Sequence, residues 1–172
     1  MVLLAPTDSR STTPLTPAHL LGITRDLADQ RDRWLDLVQH HPLERWFERV
    51  AVTEDYDVWL MGWDAFQGVD LHDHGHAAGV LYVVDGELLE TSTTRSSGGL
   101  VQQTLRAGTA RAFGADHVHR VVNPAARPAT SLHVYSPPLT TMDFYRPGEG
   151  RSLEPTHTES ALAPRSGPGE LR

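Results

Sequence analysis

The chain of 172 residues contains no cysteine. That absence removes disulfides, thiolate metal sites and cysteine nucleophiles together, so any metal here must be held by histidine or carboxylate. Long apolar runs are missing too: no stretch approaches the roughly 20 residues that cross a bilayer as a helix. Met1-Val2-Leu3-Leu4 is also too short for the core of a signal peptide. The expectation is a cytoplasmic protein with no membrane partner. Positive charge is in short supply, with 15 Lys and Arg against 22 Asp and Glu for a net charge of −7. No basic cluster reverses that balance locally, which argues against a nucleic-acid surface.

Histidine, by contrast, is plentiful at ten residues. Five of them fall between His72 and His119. With 39% hydrophobic and 22% charged residues, the chain suits one soluble globular domain with a real core. A monomer is expected. Residues 1–15 are rich in Ser, Thr and Pro and read as a flexible arm. Residues 16–145 read as the domain, and residues 146–172, rich in Pro, Gly and charge, as a disordered tail.

Thr16-Pro17 is a helix start, a hydroxyl cap followed by proline at the first helical position. Leu20, Leu21, Ile23, Leu27, Trp34, Leu37 and Val38 then recur at helical spacing as core-facing positions, in one helix or two, until Pro42. From residue 44 to 136 short apolar stretches alternate with Gly, Asp and Asn, the pattern of an all-β barrel or sandwich. Strands are read at 56–63, 71–74, 79–84, 87–93, 100–105, 110–113, 117–122 and 130–135. Asp85-Gly86 is the strongest hairpin turn among them, residues 95–99 read as a flexible polar loop, and Ser136-Pro137 is a candidate cis peptide.

The chemistry concentrates in Leu71-His72-Asp73-His74-Gly75-His76 and in Asp116-His117-Val118-His119-Arg120. On strands, side chains alternate faces, so His72 and His74 share one face while Asp73 takes the other. A second pair from a facing strand can close on the same ion. His117 and His119 also share a face, and periodicity does not choose between them. Neutral imidazoles suit Fe, Zn, Cu or Ni, so the residues do not select the metal.

The spacing Gly68-x3-His72-x-His74-x4-Gly79-x6-Gly86 resembles the first motif of the cupin superfamily, with Gly79 where a glutamate ligand is usual. Gly108-x5-Gly114, a nearby histidine and Asn123 loosely match the second motif. More specifically, HDHGHAAGVLYVVDGELLET, HRVVNP and SLHVYSPPL resemble cysteine dioxygenase and its thiol dioxygenase relatives, over about 100 residues from Pro42 to Tyr145. That resemblance implies a cupin β-barrel with an N-terminal helical cap. It implies mononuclear Fe(II) held by His72, His74 and His119, and dioxygenation of a small thiol by O2. It also implies an outer hydrogen-bond chain in which Ser131 holds His133 and His133 orients Tyr135, a catalytic residue facing substrate. His76 and His117 are then left at the pocket rim or surface, and Gly79 leaves a coordination position open to substrate.

Two departures from the family pattern bear on substrate. Animal members crosslink a cysteine to the tyrosine, and Gly79 at that position excludes such a link. The family's carboxylate-binding arginine has no clean match within Glu44-Arg45-Trp46-Phe47-Glu48-Arg49. Arg45 and Arg49 are both candidates, since a guanidinium pairs bidentately with a carboxylate. L-Cysteine is the expected substrate. The alternatives are 3-mercaptopropionate or another thiol carboxylate, and, from a different class, a non-catalytic cupin that senses a ligand.

Overall fold

The computed structural model describes residues 14–97 and 99–161. Helix α1 (Pro17–Asp29) begins as expected, with the Thr16 hydroxyl accepting the His19 N–H at 3.3 Å and Pro17 in the first turn. It ends earlier than the apolar spacing suggests. Two single 3-10 turns, Arg31–Arg33 and Leu35–Leu37, carry the chain onward. Trp34 is pinned there by its indole N–H to Leu27 O at 2.9 Å. The periodicity therefore registered burial of Leu20 and Trp34 rather than one long helix.

Among the described residues eleven strands follow: β1 (Trp46–Val52), β2 (Asp57–Trp63), β3 (Gly68–His72), β4 (Ala78–Asp85), β5 (Glu87–Thr94), β6 (Val101–Arg106), β7 (Ala110–Phe113), β8 (His117–Val122), β9 (Ala129–Ser136), β10 (Thr141–Pro147) and β11 (Leu153–Ser160). They form two antiparallel sheets, ordered β1-β2-β9-β4-β7 and β11-β10-β3-β8-β5-β6. The all-β expectation holds. Strands β2 and β9 are buried along their whole length. Their outward residues Val58, Leu60, Leu132 and Val134 belong to one core cluster with Leu20 of α1. Their inward residues Trp59, Met61, Trp63 and Tyr135 join Leu88, Leu105 and Val121 of the other sheet in a second cluster. Burial on both faces explains why β2 reads as a continuous apolar run without alternation.

Three expectations are corrected. Asp85-Gly86 is not a hairpin: β4 pairs with β7 and β9, whereas β5 pairs with β6 and β8 in the opposite sheet. The turn is a corner between sheets. Gly86 is required there because φ is +76° and a Cβ would meet Ala129 at 2.7 Å. The segment after residue 145 does not end in disorder within the described residues. Strand β10 runs to Pro147, and β11 returns beside it from Leu153 to Ser160. As an exposed edge strand it needs few apolar residues, so its composition resembled a tail; residues 162–172 lie outside the described ones. Of the proposed N-terminal arm, residues 1–13 are likewise outside, but Leu15 N donates to Ser136 Oγ at 2.8 Å and so anchors the chain ahead of α1. Ser136-Pro137 is cis.

Candidate metal centre

Strand β3 stops at His72, so His74 is not its strand-mate as the alternation implied; it sits in the turn that follows. Gly75, at φ +62°, turns the chain there. What holds this turn is Asp73, the fully buried residue between the two histidines. Its Oδ1 accepts Gly75 N–H at 2.9 Å, and its Oδ2 accepts Arg95 Nη1 at 2.9 Å and the Tyr145 hydroxyl at 2.7 Å. Arg95 also donates to Gly75 O at 3.0 Å and to Ala115 O. The supposed flexible loop therefore opens with an anchoring residue. Burial, and then the bond to Asp73, push the Tyr145 hydroxyl up to about 12, so it stays a donor.

His72 of β3 lies directly across from His119 of β8 in the sheet. His74 completes the group, and one ligand atom from each of His72, His74 and His119 lies within 4.8 Å of the others. The donor set fits a metal ion. His72 Nδ1 is engaged by Asp70 O at 2.7 Å and His119 Nδ1 by Glu90 Oε1 at 2.8 Å, which leaves each Nε2 for the centre. His74 is 3% exposed, yet neither of its ring nitrogens has a hydrogen-bond partner. A buried imidazole without any partner is costly unless something outside the protein satisfies it. Burial holds His72 and His74 well below the usual histidine range, and the charge of His119 adds to this at His72 and that of His72 at His74. His119 is lowered less, because the bond to Glu90 opposes burial. Neutral imidazole is the form that ligates metals.

His117 is not at the rim. It is 5% exposed, its Nε2 donates to Glu90 Oε1 at 3.0 Å, and its ring stacks on Phe113 with centroids 4.5 Å apart. Phe113 in turn stacks on His74 at 5.1 Å. His76 is exposed, as expected. Burial alone would raise the Glu90 carboxyl, but the hydrogen bonds from His117 and His119 carry it down to about 2. Gly79 does not leave open space. A Cβ there would lie 2.7 Å from the Phe113 ring and 2.9 Å from Tyr135, so aromatic carbon occupies the place where a fourth ligand was looked for.

Strand β9, in the facing sheet, presents Ser131, His133 and Tyr135 in a line. Ser131 Oγ lies 2.9 Å from His133 Nε2, and His133 Nδ1 lies 3.0 Å from the Tyr135 hydroxyl. Sequence reading missed the start of this chain, Trp63, whose indole N–H donates to Ser131 Oγ at 2.9 Å. An indole nitrogen can only donate. That bond occupies one of the two acceptor positions of Ser131 Oγ and leaves its proton free for His133 Nε2. In that tautomer His133 Nδ1–H donates to Tyr135, whose own proton is left for the cavity. Burial raises the Tyr135 pKa, and the nearby Asp57 charge adds to this, so the hydroxyl keeps its proton.

Between the sheets lies a cavity of ≈ 80 Å³, lined on its polar side by His72, His119, His133, Tyr135 and Arg45, with Glu159 and Ser160 of β11 also on its wall. The remainder is chiefly apolar, with Trp59, Val69, Leu139 and Met142 among the lining residues. Sites for drug-sized ligands are several times larger, so this one takes a small molecule. Arg45 precedes β1 and packs with its guanidinium carbon 4.8 Å from the Trp63 ring and 5.2 Å from the Phe47 ring, Nη1 reaching Met61 Sδ at 3.3 Å. Arg49 lies elsewhere: it is exposed, sits over Trp59 at 5.7 Å and does not line the cavity.

Comparison with solved structures places this architecture. A Thermus thermophilus protein superposes with a TM-score of 0.52 at 24% identity, over 60% of this chain and 93% of that one. A Bacillus halodurans protein gives 0.52 at 21%, over 66% and 79%. A cupin superfamily protein of Desulfitobacterium hafniense gives 0.50 at 10%, over 60% and 87%. These likenesses establish the cupin fold. Residues 20–147, which contain every candidate ligand and the Ser131–Tyr135 chain, match the family model for cysteine dioxygenase type I, and the chain belongs to that family.

Proposed function

We propose that the protein is an Fe(II)-dependent thiol dioxygenase acting on L-cysteine, with His72, His74 and His119 as the metal ligands. The observation that carries the reading is the buried three-imidazole group, two of whose rings, His72 and His119, line a small cavity that also contains one guanidinium, that of Arg45. Iron bound by three neutral imidazoles keeps its full charge, which favours thiolate over thiol and supplies redox chemistry toward O2. The overall change is R–SH + O2 → R–SO2H. Both oxygen atoms end on sulfur, which is oxidised by four electrons as O2 is reduced by four, and no further reductant is needed.

The chain's own residues supply the rest. Arg45 binds the substrate carboxylate, held in direction by its packing between Trp63 and Phe47. Tyr135 offers its hydroxyl proton to bound substrate or oxygen, oriented by the chain from Trp63 through Ser131 and His133. Apolar walls limit water.

Oxygen consumption by the iron-loaded protein is to be measured in parallel with L-cysteine, 3-mercaptopropionate and mercaptosuccinate. Uptake with cysteine, matched by one sulfinate per O2, is expected. Preference for a thiol lacking the amine would replace cysteine with that thiol carboxylate, and no uptake with any thiol would remove the dioxygenase assignment, leaving a ligand-sensing cupin.

A further inference from the structure

We propose that Glu90 is a positioning residue of the metal centre: its buried carboxylate holds the His119 imidazole through Nδ1 and strengthens Nε2 as a donor. The inference rests on the three-histidine reading above. Glu90 reaches this place from β5, which pairs with β8 so that Ser92 lies opposite His119 and Glu90 opposite Val121. Its side chain is fully buried, and Oε1 takes two N–H groups, from His119 Nδ1 at 2.8 Å and His117 Nε2 at 3.0 Å. A carboxylate at that distance fixes which nitrogen carries the proton, and therefore which is left for the ion. The negative charge behind the ring raises the basicity of the far nitrogen.

The same group behind His119 has a second element. Arg111 of β7 stands with Nε 3.3 Å from Glu90 Oε2, close enough for charge pairing, although neither atom makes a hydrogen bond. Its side chain is 40% exposed, so it balances Glu90 from the solvent side. Glu90, His117 and His119 also bring their ligand atoms within 4.8 Å of one another, a spacing a second cation could use. The charges argue against that use. Glu90 and Arg111 already cancel, and a divalent ion there would add uncompensated positive charge beside the guanidinium. It would also displace the proton from His119 Nδ1. An outer hydrogen-bonded support, not a second ion, is what this arrangement provides.

The test is metal binding by chelator competition, with Fe(II) and with Co(II), together with the Co(II) electronic spectrum. Glu90→Gln keeps the shape and removes the charge. It is expected to weaken binding by about 10–100-fold and to shift the Co(II) bands while far-ultraviolet dichroism stays native. Arg111→Gln removes the opposing charge without touching His119, and is expected to shift the bands in the opposite sense without weakening binding. Glu90→Gln indistinguishable from wild type in affinity and spectrum would overturn the inference. Should Glu90→Gln fail to fold, unmoved bands in Arg111→Gln would overturn it instead. Two ions bound per chain would also do so, in favour of a second site. A wild-type chain that binds neither ion removes the three-histidine reading and this inference together, an outcome distinct from tight wild-type binding that Glu90→Gln leaves intact.

Discussion

Phe113 and Gly79 are in direct register across β7 and β4, and the Phe113 ring covers the glycine so closely that a Cβ would stand 2.7 Å from two of its carbons. A glutamate or cysteine at this position is therefore excluded by packing as well as by sequence. Gly79→Ala is expected to destabilise the fold by about 1–3 kcal/mol, the usual cost of overpacking. The double variant Gly79→Ala/Phe113→Leu should recover most of that loss, measured by urea denaturation. Full stability in the single variant would show that Phe113 yields freely.

The two histidines of β8 have opposite assignments to be separated by metal content. His119→Ala removes a proposed ligand and is expected to abolish stoichiometric Fe(II) retention after gel filtration. His117→Ala removes one of two N–H donors to Glu90 Oε1 and leaves the bond to His119, so most of the iron should remain. Loss in His117→Ala with retention in His119→Ala would reverse the assignment.

Most of the ladder was legible because β7 and β8 carry clear apolar or motif patterns, and their bounds agree with the structure residue for residue. His72 and His74 do come together with His119, but not by the strand alternation that H-x-H suggests. His74 points into the site because Asp73, Arg95 and Tyr145 lock a turn, not because a strand alternates. Such partners come from segments more than 20 residues away, and no local pattern announces them. Glu90 was hidden for the same reason. In sequence it is one carboxylate of a polar strand, and only β5–β8 pairing brings it to His119. Strand β11 was missed because an edge strand exposed to water has no apolar period to detect. A turn dipeptide, finally, reports local conformation and not which sheet the next strand joins, which is why Asp85-Gly86 misled.

Arg45 and Arg49 were equivalent in sequence, but only Arg45 lines the cavity. Arg45→Gln is expected to raise KM for L-cysteine by one to two orders of magnitude, roughly the worth of a charged hydrogen-bond pair. It should change little for cysteamine, which has no carboxylate. Arg49→Gln should leave both substrates near wild-type values. Equal losses on cysteine and cysteamine would mean that Arg45 supports the cavity wall through Trp63 and Met61 without binding carboxylate.

Asp57, at the start of β2, is a fully buried carboxylate whose Oδ2 accepts the Leu139 N–H at 3.2 Å while Oδ1 has no hydrogen-bond partner. Burial raises its pKa from 3.8 to about 6, and the Trp59 indole, the Leu139 N–H and the Arg49 charge oppose this only in part. A carboxyl shifted upward on folding binds its proton more tightly in the native state than in the unfolded chain. Between pH 3.8 and about 6 the native state therefore holds more protons, and stability falls as pH rises through that window. Above it the cost is fully present. Asp57→Asn removes the charge at nearly constant shape, so the variant should match wild type near pH 4 and exceed it at pH 7. A gain of about 3 kcal/mol is expected from a shift of this size. Urea denaturation of both proteins from pH 4 to 8 checks it, and a stability difference that does not change with pH would remove Asp57 as the titrating group.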